Sequence, residues 1–167
     1  MLGISWTWIV AAGCCIVLLG AGGLATEVGP WYRALRKPSW NPPDWLFGPA
    51  WTVILGLATW GGVMAWDAAP DAGARTRVAV LFAVNAFLHF LWSPLFFKWK
   101  RPDWAFVEVW FLWASVLALA VGLWPYSQTA SWLMAPYLVW VTFAAYLNLA
   151  IVRLNAPFGA MGRQPAG

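Results

Sequence analysis

Long apolar runs separated by short polar segments dominate this sequence. A helix needs about 20 mostly apolar residues to cross a bilayer, and five runs reach that length without the strict alternation of a barrel strand. These runs occupy residues 4–26, 45–66, 78–97, 104–124 and 129–152. The pattern predicts an all-α membrane protein, a bundle of five transmembrane helices forming one domain over residues 1–167.

The composition agrees with a membrane location. Of the 167 residues, 62% are hydrophobic and 10% are charged, whereas roughly a quarter of residues are charged in soluble domains. The first run contains no Lys or Arg, so it lacks the positive region of a signal peptide and we interpret it as a retained span. Cys14 and Cys15 lie inside this run, where we interpret them as small, buried apolar side chains.

Basic residues are distributed unevenly between the two sides of the predicted membrane. Only Arg75 and Arg77 fall on one side. The other eight of the ten basic residues are Arg33, Arg36, Lys37, Lys98, Lys100, Arg101, Arg153 and Arg163. The positive-inside rule therefore predicts an N-terminus outside and a C-terminus in the cytoplasm. Because these clusters form no concentrated basic face, we expect no nucleic-acid partner.

The segment between the first two spans, residues 27–44, is an unusual loop. From residue 31 it continues into the next span as WYRALRKPSWNPPDW. Three prolines, Pro42 among them, restrict the backbone, so we interpret the segment as a preformed lid loop. Trp31, Tyr32 and Trp40 provide large rings beside three cations, which suits a flat aromatic ligand with carboxylates, such as a porphyrin. The alternative is a surface that packs on lipid headgroups.

Span three places three polar or aromatic residues on one helical face. Asn85, His89 and Trp92 follow one another at i, i+4 and i+7. Because lipid offers no hydrogen-bond partners, an amide and an imidazole at this depth should face the bundle interior. His89 either bonds a neighbouring helix or positions a ligand, and the spacing leaves both open.

Span five carries a comparable stripe. Pro136, Trp140, Ala144 and Asn148 are separated by successive steps of four residues, and the small Ala144 leaves room beside Trp140. The stripe predicts either a pocket wall or close helix packing through a small residue. Pro136 is expected to bend the helix, as are Pro49 in span two and Pro94 in span three.

Span four contains a single carboxylate, Glu108, about one turn inside its predicted start. We expect this side chain to extend to the cytoplasmic interface beside Lys100 or Arg101, because charged groups near span ends reach toward water. A proton relay is the alternative, although no second titratable residue lies nearby in the sequence.

Three sequence blocks carry a family resemblance. The first comprises Trp31, Tyr32, Leu35, Lys37, Pro38, Trp40, Pro42, Pro43 and Trp51. The second comprises Asn85, Trp92, Ser93, Phe96 and Phe97, and the third Pro136, Tyr137, Trp140, Leu147 and Asn148. In this order the blocks resemble the translocator protein (TspO/MBR) family, also called tryptophan-rich sensory proteins or peripheral-type benzodiazepine receptors. The resemblance covers essentially the whole chain.

This resemblance implies a five-helix bundle, often a homodimer, with a pocket in the cytosolic half under the first loop. Members of the family bind tetrapyrroles, and animal members bind cholesterol and synthetic ligands. We therefore expect protoporphyrin IX or haem as ligand, no obligatory cofactor, contact with membrane lipid, and a location in a bacterial cell membrane. We also expect no structural metal, since His89 is the only histidine and stable metal binding would need more ligands than this chain offers.

The predicted function is that of an integral membrane receptor for tetrapyrroles, with a regulatory or transport role. We expect the binding site to contain Trp31, Tyr32, Trp40, Pro42, Trp51, Asn85, His89, Trp92, Trp140, Ala144 and Asn148. The family motif does not require a histidine at position 89, so its inclusion rests on spacing. The alternative function is light-dependent porphyrin breakdown, with Trp51 and Trp140 as the reactive side chains. No cluster of acid, base, nucleophile or metal ligands supports ordinary enzyme chemistry.

Overall fold

The computed structural model describes residues 5–158 of the chain, and this part is helical with no strand. The helices are α1 (Trp6–Ala25), α2 (Pro30–Ala34), α3 (Asp44–Ala68), α4 (Ala72–Ser93), α5 (Pro102–Leu123), α6 (Gln128–Trp132) and α7 (Ala135–Asn155). After α4 the chain continues as a π-helical turn, Pro94–Lys98. Within residues 5–158, five helical units are long and apolar enough to cross a membrane. The predicted five-helix membrane bundle is therefore confirmed.

Capping residues set where several of these helices begin. The carboxylate of Asp71 accepts a hydrogen bond from the backbone N–H of Ala74 at 2.7 Å, which starts α4 six residues before the predicted span. Pro102 occupies the first turn of α5, where its missing N–H costs nothing. Because the first turns of α4 are polar, the hydrophobic pattern alone did not reveal them.

Three prolines were expected to bend spans. Pro136 and Pro94 interrupt regular α-helix, but not by the simple bend that was predicted. The fifth span is divided into α6 and α7, and the break precedes Pro136, which lies in the first turn of α7. Pro94 begins the π-helical turn rather than ending the helix, since a widened turn can accommodate a residue without an N–H. Pro49 lies inside α3, which continues through it.

The core is organised around α5. Its residues Leu112, Val116, Leu119 and Leu123 repeat at helical spacing and are fully or almost fully buried against the other spans. By contrast, α1 packs against α3 and α4 without burying any residue completely. The first span is thus the least enclosed of the five. The expectation that its two cysteines are buried was wrong, since Cys14 is exposed and Cys15 is partly exposed on this helix.

Glycines allow close approach at particular helix contacts. A Cβ added to Gly61 of α3 would lie 2.7 Å from the methyl carbon of Met134 and 3.0 Å from the carbonyl oxygen of Ala130. A Cβ added to Gly62 would meet the ring of Phe82 at 2.9 Å. Nothing lies within 4 Å of the corresponding position at four others, Gly20, Gly22, Gly23 and Gly56. Within the bundle, the closest packing occurs at Gly61, at Gly62 and at Gly122, where an added Cβ would lie 2.6 Å from a methyl carbon of Leu81.

The lid loop is fastened to the end of the last helix. The backbone N–H of Arg36 donates to Oδ1 of Asn155 at 2.8 Å, and Nδ2 of Asn155 donates to the carbonyl of Arg36 at 2.8 Å. This pair of bonds brings the loop to the bundle end where α4 finishes and α5 begins. The loop also contains helix α2, which the pattern of apolar residues did not predict. Ile4, the predicted start of the first span, and Arg163 lie outside the described residues.

Candidate functional site

A cavity of about 420 Å³ lies in the half of the bundle covered by the lid loop. The second half of α1, the first half of α3, the end of α4, the centre of α5 and the second half of α7 all contribute to its wall. Most of the side chains are apolar or aromatic, as is usual for small-molecule sites. The site is therefore assembled from four spans around the buried α5.

The cavity wall contains seven of the eleven residues predicted for the binding site. These seven are Tyr32, Trp51, His89, Trp92, Trp140, Ala144 and Asn148. The remaining four, Trp31, Trp40, Pro42 and Asn85, lie outside the wall. The wall thus contains both helical stripes except Asn85 and Pro136, and of the loop aromatics it contains Tyr32.

Two loop tryptophans form an outer layer above the wall. The ring of Trp31 meets Phe96 edge-on with centroids 6.1 Å apart, and Trp40 meets Phe143 edge-on at 5.9 Å. Edge-to-face contacts of this kind fix aromatic rings in place. Pro42 follows Asn41, whose side-chain amide donates to the Pro42 carbonyl at 2.7 Å. These residues shape the lid.

The two central tryptophans of the cavity contact each other. Trp51 from α3 and Trp140 from α7 have centroids 6.2 Å apart with ring planes at 83°. Phe47 meets Trp140 at 5.9 Å, also edge-on. This aromatic corner joins two helices that are far apart in the sequence, and it offers apolar ring surface to a planar ligand.

Behind this corner lies a buried polar network. Nδ2 of Asn85 donates to Oγ of Ser115 at 2.9 Å, and its Oδ1 accepts from the hydroxyl of Tyr137 at 3.3 Å. The Tyr137 hydroxyl also lies 3.1 Å from Nδ1 of His89. Asn85 therefore supports the wall from behind, where a buried amide must find partners within the protein. Direct contact between Asn85 and a ligand stays a prediction.

His89 takes part in both the network and the wall. It bonds to the neighbouring helix through Tyr137, which is one of the two roles its spacing allowed. Its imidazole also lies edge-on to Trp51 with centroids 4.6 Å apart, and the residue lines the cavity. Tyr137 could not be foreseen as its partner, because spacing along one helix does not identify the residue opposite.

Asn148 connects α7 to the start of α5. With its amide in the orientation that satisfies both groups, Nδ2 donates to the carbonyl of Pro102 at 3.1 Å and Oδ1 accepts from the N–H of Phe106 at 2.9 Å. The side chain thus holds two spans together beside the cavity. Its polar atoms are engaged by the protein even though the residue lines the cavity.

The expectation for Glu108 was wrong. The side chain is 6% exposed, and neither carboxylate oxygen has a hydrogen-bond partner among the described residues. Arg101 pairs instead with Asp103. Because Glu108 shares a helical face with Leu112 and Ser115, which point into the bundle, its carboxyl points inward as well.

Polar residues at the lid form a second small cluster. The hydroxyl of Tyr32 donates to the carboxylate of Asp44 at 3.2 Å, and the ammonium of Lys37 lies 3.6 Å from the Tyr32 ring centre and 3.9 Å from Asp44. Burial raises the pKa of Tyr32 above its ordinary value of 10.0, and the Asp44 carboxylate adds to this rise. The phenol therefore stays neutral and acts as a donor at physiological pH.

Sequence reasoning missed the contribution of α1 and of Asp44. Leu18, Leu19, Gly22 and Gly23 line the cavity from the first span. No motif in the sequence indicated that these four residues face a cavity. Asp44 stands in the first turn of α3, where a carboxylate is commonly explained by the helix dipole alone.

Only one of the three basic side chains of the lid forms an ion pair among the described residues. In residues 5–158, the ion pairs are Lys37 with Asp44 and Arg101 with Asp103, so Arg33 and Arg36 have no carboxylate partner there. The same part of the chain holds no group of three or more His, Cys, Asp or Glu side chains placed to bind a metal ion. The site as described can stack, hydrogen-bond and attract anionic groups.

Comparison with known proteins gives consistent matches along the chain. The sequence profile of the TspO/MBR family matches residues 5–154. The tryptophan-rich protein TspO of Chlorobaculum tepidum is 36% identical, and the match covers 89% of this chain and 96% of that protein. The tryptophan-rich sensory protein of Cereibacter sphaeroides is 38% identical, and the match covers 80% of this chain and 82% of that protein. The translocator protein of Sus scrofa is 34% identical, and the match covers 89% of this chain and 91% of that protein.

Proposed function

The chain belongs to the TspO/MBR family of membrane proteins, and on that premise we propose that it is a receptor for porphyrin or haem-like tetrapyrroles. The observation that carries the proposal is the aromatic corner of Trp51 and Trp140 inside a largely apolar cavity beneath the lid loop. A planar macrocycle stacks on such rings. The relatives named for sensing and translocation favour a regulatory or transport output.

The charge of the lid supports a ligand with acidic groups. Arg33 and Arg36 belong to the loop that covers the cavity and have no carboxylate partner among the described residues. The propionates of a porphyrin are carboxylates, and guanidinium groups bind carboxylates with two parallel hydrogen bonds. We therefore assign the macrocycle to the cavity and its acidic edge to the lid.

Binding is tested by quenching of tryptophan fluorescence with protoporphyrin IX in the dark, using detergent-purified protein. We expect saturable quenching and an affinity weakened by roughly three- to tenfold in Trp140→Phe, since an aromatic contact contributes about 0.5–1.5 kcal/mol beyond its area. Trp60→Phe is the matched control, because Trp60 also lies in a span but is 51% exposed and outside the cavity wall. Quenching without saturation, or equal affinities in both variants, would contradict the proposal.

A second candidate function is light-dependent breakdown of the bound porphyrin. The observation that favours it is again the contact of Trp51 with Trp140, two oxidisable side chains that both line the cavity. Illumination of the complex should then produce a new pigment band that is absent in darkness and absent in Trp51→Phe. If the porphyrin binds but its spectrum stays unchanged under light, the breakdown function is contradicted and the receptor function is not.

A further inference from the structure

Tyr137 carries the most enclosed hydroxyl in the buried network. Its two hydrogen-bond neighbours differ in whether they can take up a proton. The residue is 1% exposed. Its hydroxyl has two potential acceptors, Nδ1 of His89 at 3.1 Å and Oδ1 of Asn85 at 3.3 Å. The amide of Asn85 is held in place by its bond to Ser115. An amide oxygen accepts a hydrogen bond but does not take up a proton under ordinary conditions, whereas a neutral imidazole does both.

An oxidisable ring lies directly against this pair. The centroid of Trp51 is 4.6 Å from that of His89 and 5.9 Å from that of Tyr137, with edge-on geometry in both contacts. Trp51 and His89 line the cavity, whereas Tyr137 lies behind them. An electron leaving Tyr137 therefore reaches the cavity by one step through the Trp51 ring.

A phenol gives up an electron readily only when its proton leaves at the same time, because the phenol radical cation is a very strong acid. Because Tyr137 is 1% exposed, its proton cannot pass directly to bulk water, so a base must already be in place. Nδ1 of His89 lies within the distance at which a positioned base accepts a proton directly. Geometry thus supplies what the oxidation of Tyr137 requires.

We propose that Tyr137 and His89 form a redox-active pair that returns an electron to oxidised Trp51. A one-electron oxidant in the cavity takes an electron from the Trp51 indole and leaves an indole radical cation. Tyr137 then gives one electron to Trp51 and its phenolic proton to Nδ1 of His89. The products are a neutral Tyr137 radical, a His89 imidazolium, a restored indole and the reduced oxidant.

The identity of the oxidant rests on the proposed function, since a light-excited tetrapyrrole in the cavity would become the radical anion. The pair itself does not depend on that ligand. Its role is to move the oxidising equivalent away from the ring that contacts the ligand, into a side chain enclosed by protein. Trp51 is thereby protected from permanent oxidation and can react again.

The test uses the full chain in detergent without any pigment, so a failure of porphyrin binding does not affect it. Azide radicals from pulse radiolysis oxidise indoles, and transient absorption follows the loss of tryptophan radical and the rise of tyrosyl radical. We expect a fast tyrosyl phase in the unmodified protein that is lost in Tyr137→Phe and in Trp51→Phe. Tyr146→Phe is the control for background, since Tyr146 is 62% exposed and remote from the network.

His89→Gln distinguishes a proton acceptor from a structural contact. Glutamine can still accept the hydrogen bond of Tyr137 but cannot hold its proton. The fast phase should slow by on the order of a hundredfold, the lower range of what a positioned base contributes, and unmodified protein should show slower transfer in D2O. A fast phase unchanged in Tyr137→Phe, or unchanged in His89→Gln, would overturn the proposal. Far-UV circular dichroism of each variant verifies that it is folded.

Discussion

Polar side chains inside the bundle differ in whether the protein satisfies them. Asn85, Ser115, Tyr137 and His89 bond to one another across three spans. Glu108, on the same face of α5 as Ser115, has no such partner among the described residues. A buried group without a partner bears the full cost of leaving water, so burial of the Glu108 carboxyl lowers the stability of the fold.

The first prediction concerns that cost. Replacing Glu108 with Leu removes an unpartnered carboxyl and puts an apolar side chain of similar size in its place. We expect the free energy of unfolding in detergent to rise by about 1–3 kcal/mol, observed as a higher thermal midpoint. Glu108→Gln keeps a polar group of the same shape and should gain less. A lower midpoint for the leucine variant would mean that the carboxyl has a partner, such as a bound water.

The second prediction concerns the lid phenol and alkaline pH. Because the pKa of Tyr32 is raised in the folded protein, the unfolded chain loses its proton at lower pH than the folded one. The stabilising contribution is complete below the ordinary pKa of 10.0 and falls as pH rises above it. Thermal midpoints measured on both sides of that pH should therefore decline less steeply in Tyr32→Phe than in the unmodified protein. Tyr146→Phe, at an exposed position, should decline as the unmodified protein does.

At the scale of elements, the spans could be predicted and their irregularities could not. Length and apolarity identified all five, because only a membrane-length helix produces such runs. The polar beginning of α4 and the short helix α2 carry no apolar period. The break between α6 and α7 follows from packing against α3 and α5, which a single-segment pattern does not contain. Hydropathy thus locates the membrane-crossing part of each element but not its ends.

The third prediction tests the close contact between α3 and the α6–α7 break. Gly61→Ala places a methyl group 2.7 Å from Met134 and 3.0 Å from the backbone of Ala130. We expect a loss of about 1–3 kcal/mol in the free energy of unfolding, as is usual for an overpacked core. Gly56→Ala in the same helix has open space and should be neutral or slightly stabilising. Equal effects of the two changes on the thermal midpoint would refute the packing role of Gly61.

At the scale of the whole molecule, the candidate site could be predicted where residues share a helical face. His89 with Trp92, and Trp140 with Ala144 and Asn148, were identified by spacing and line the cavity. Asn85 lies on the predicted face too, but one turn deeper, behind the wall. Which loop aromatics enter the cavity depends on how the lid folds over the bundle. That arrangement is fixed by Asn155, more than a hundred residues away.

The fourth prediction concerns orientation. We propose that the end bearing the lid loop faces the cytoplasm, since seven of the eight clustered basic residues lie at that end within the described range. A reporter active only in the cytoplasm should function when fused to the C-terminus, and one active only outside should not. Adding Lys and Arg residues beside Arg75 should reduce the cytoplasmic signal. The reverse pattern for the two reporters would contradict this orientation.

The fifth prediction concerns assembly. We propose a homodimer, and native mass spectrometry of protein released from lipid nanodiscs should show twice the 18.5 kDa chain mass. A dimer should dissociate on dilution in detergent, whereas the fold of each chain should persist, because the cores of the helices are completed within one chain. A single-chain mass under all lipid conditions would refute the proposal.

The inward carboxyl of Glu108 also bears on biosynthesis. Ribosomes deliver α5 to the bilayer before α7 exists, and a carboxylate inside an isolated span is costly in lipid. The surface of α7 that packs along α5 is synthesised last. Until α7 docks, α5 must remain beside the insertion machinery or shift toward the headgroups. The order in which the helices settle therefore differs from the order in which they are made, and a nascent chain cut short before α7 should be a substrate for membrane quality control.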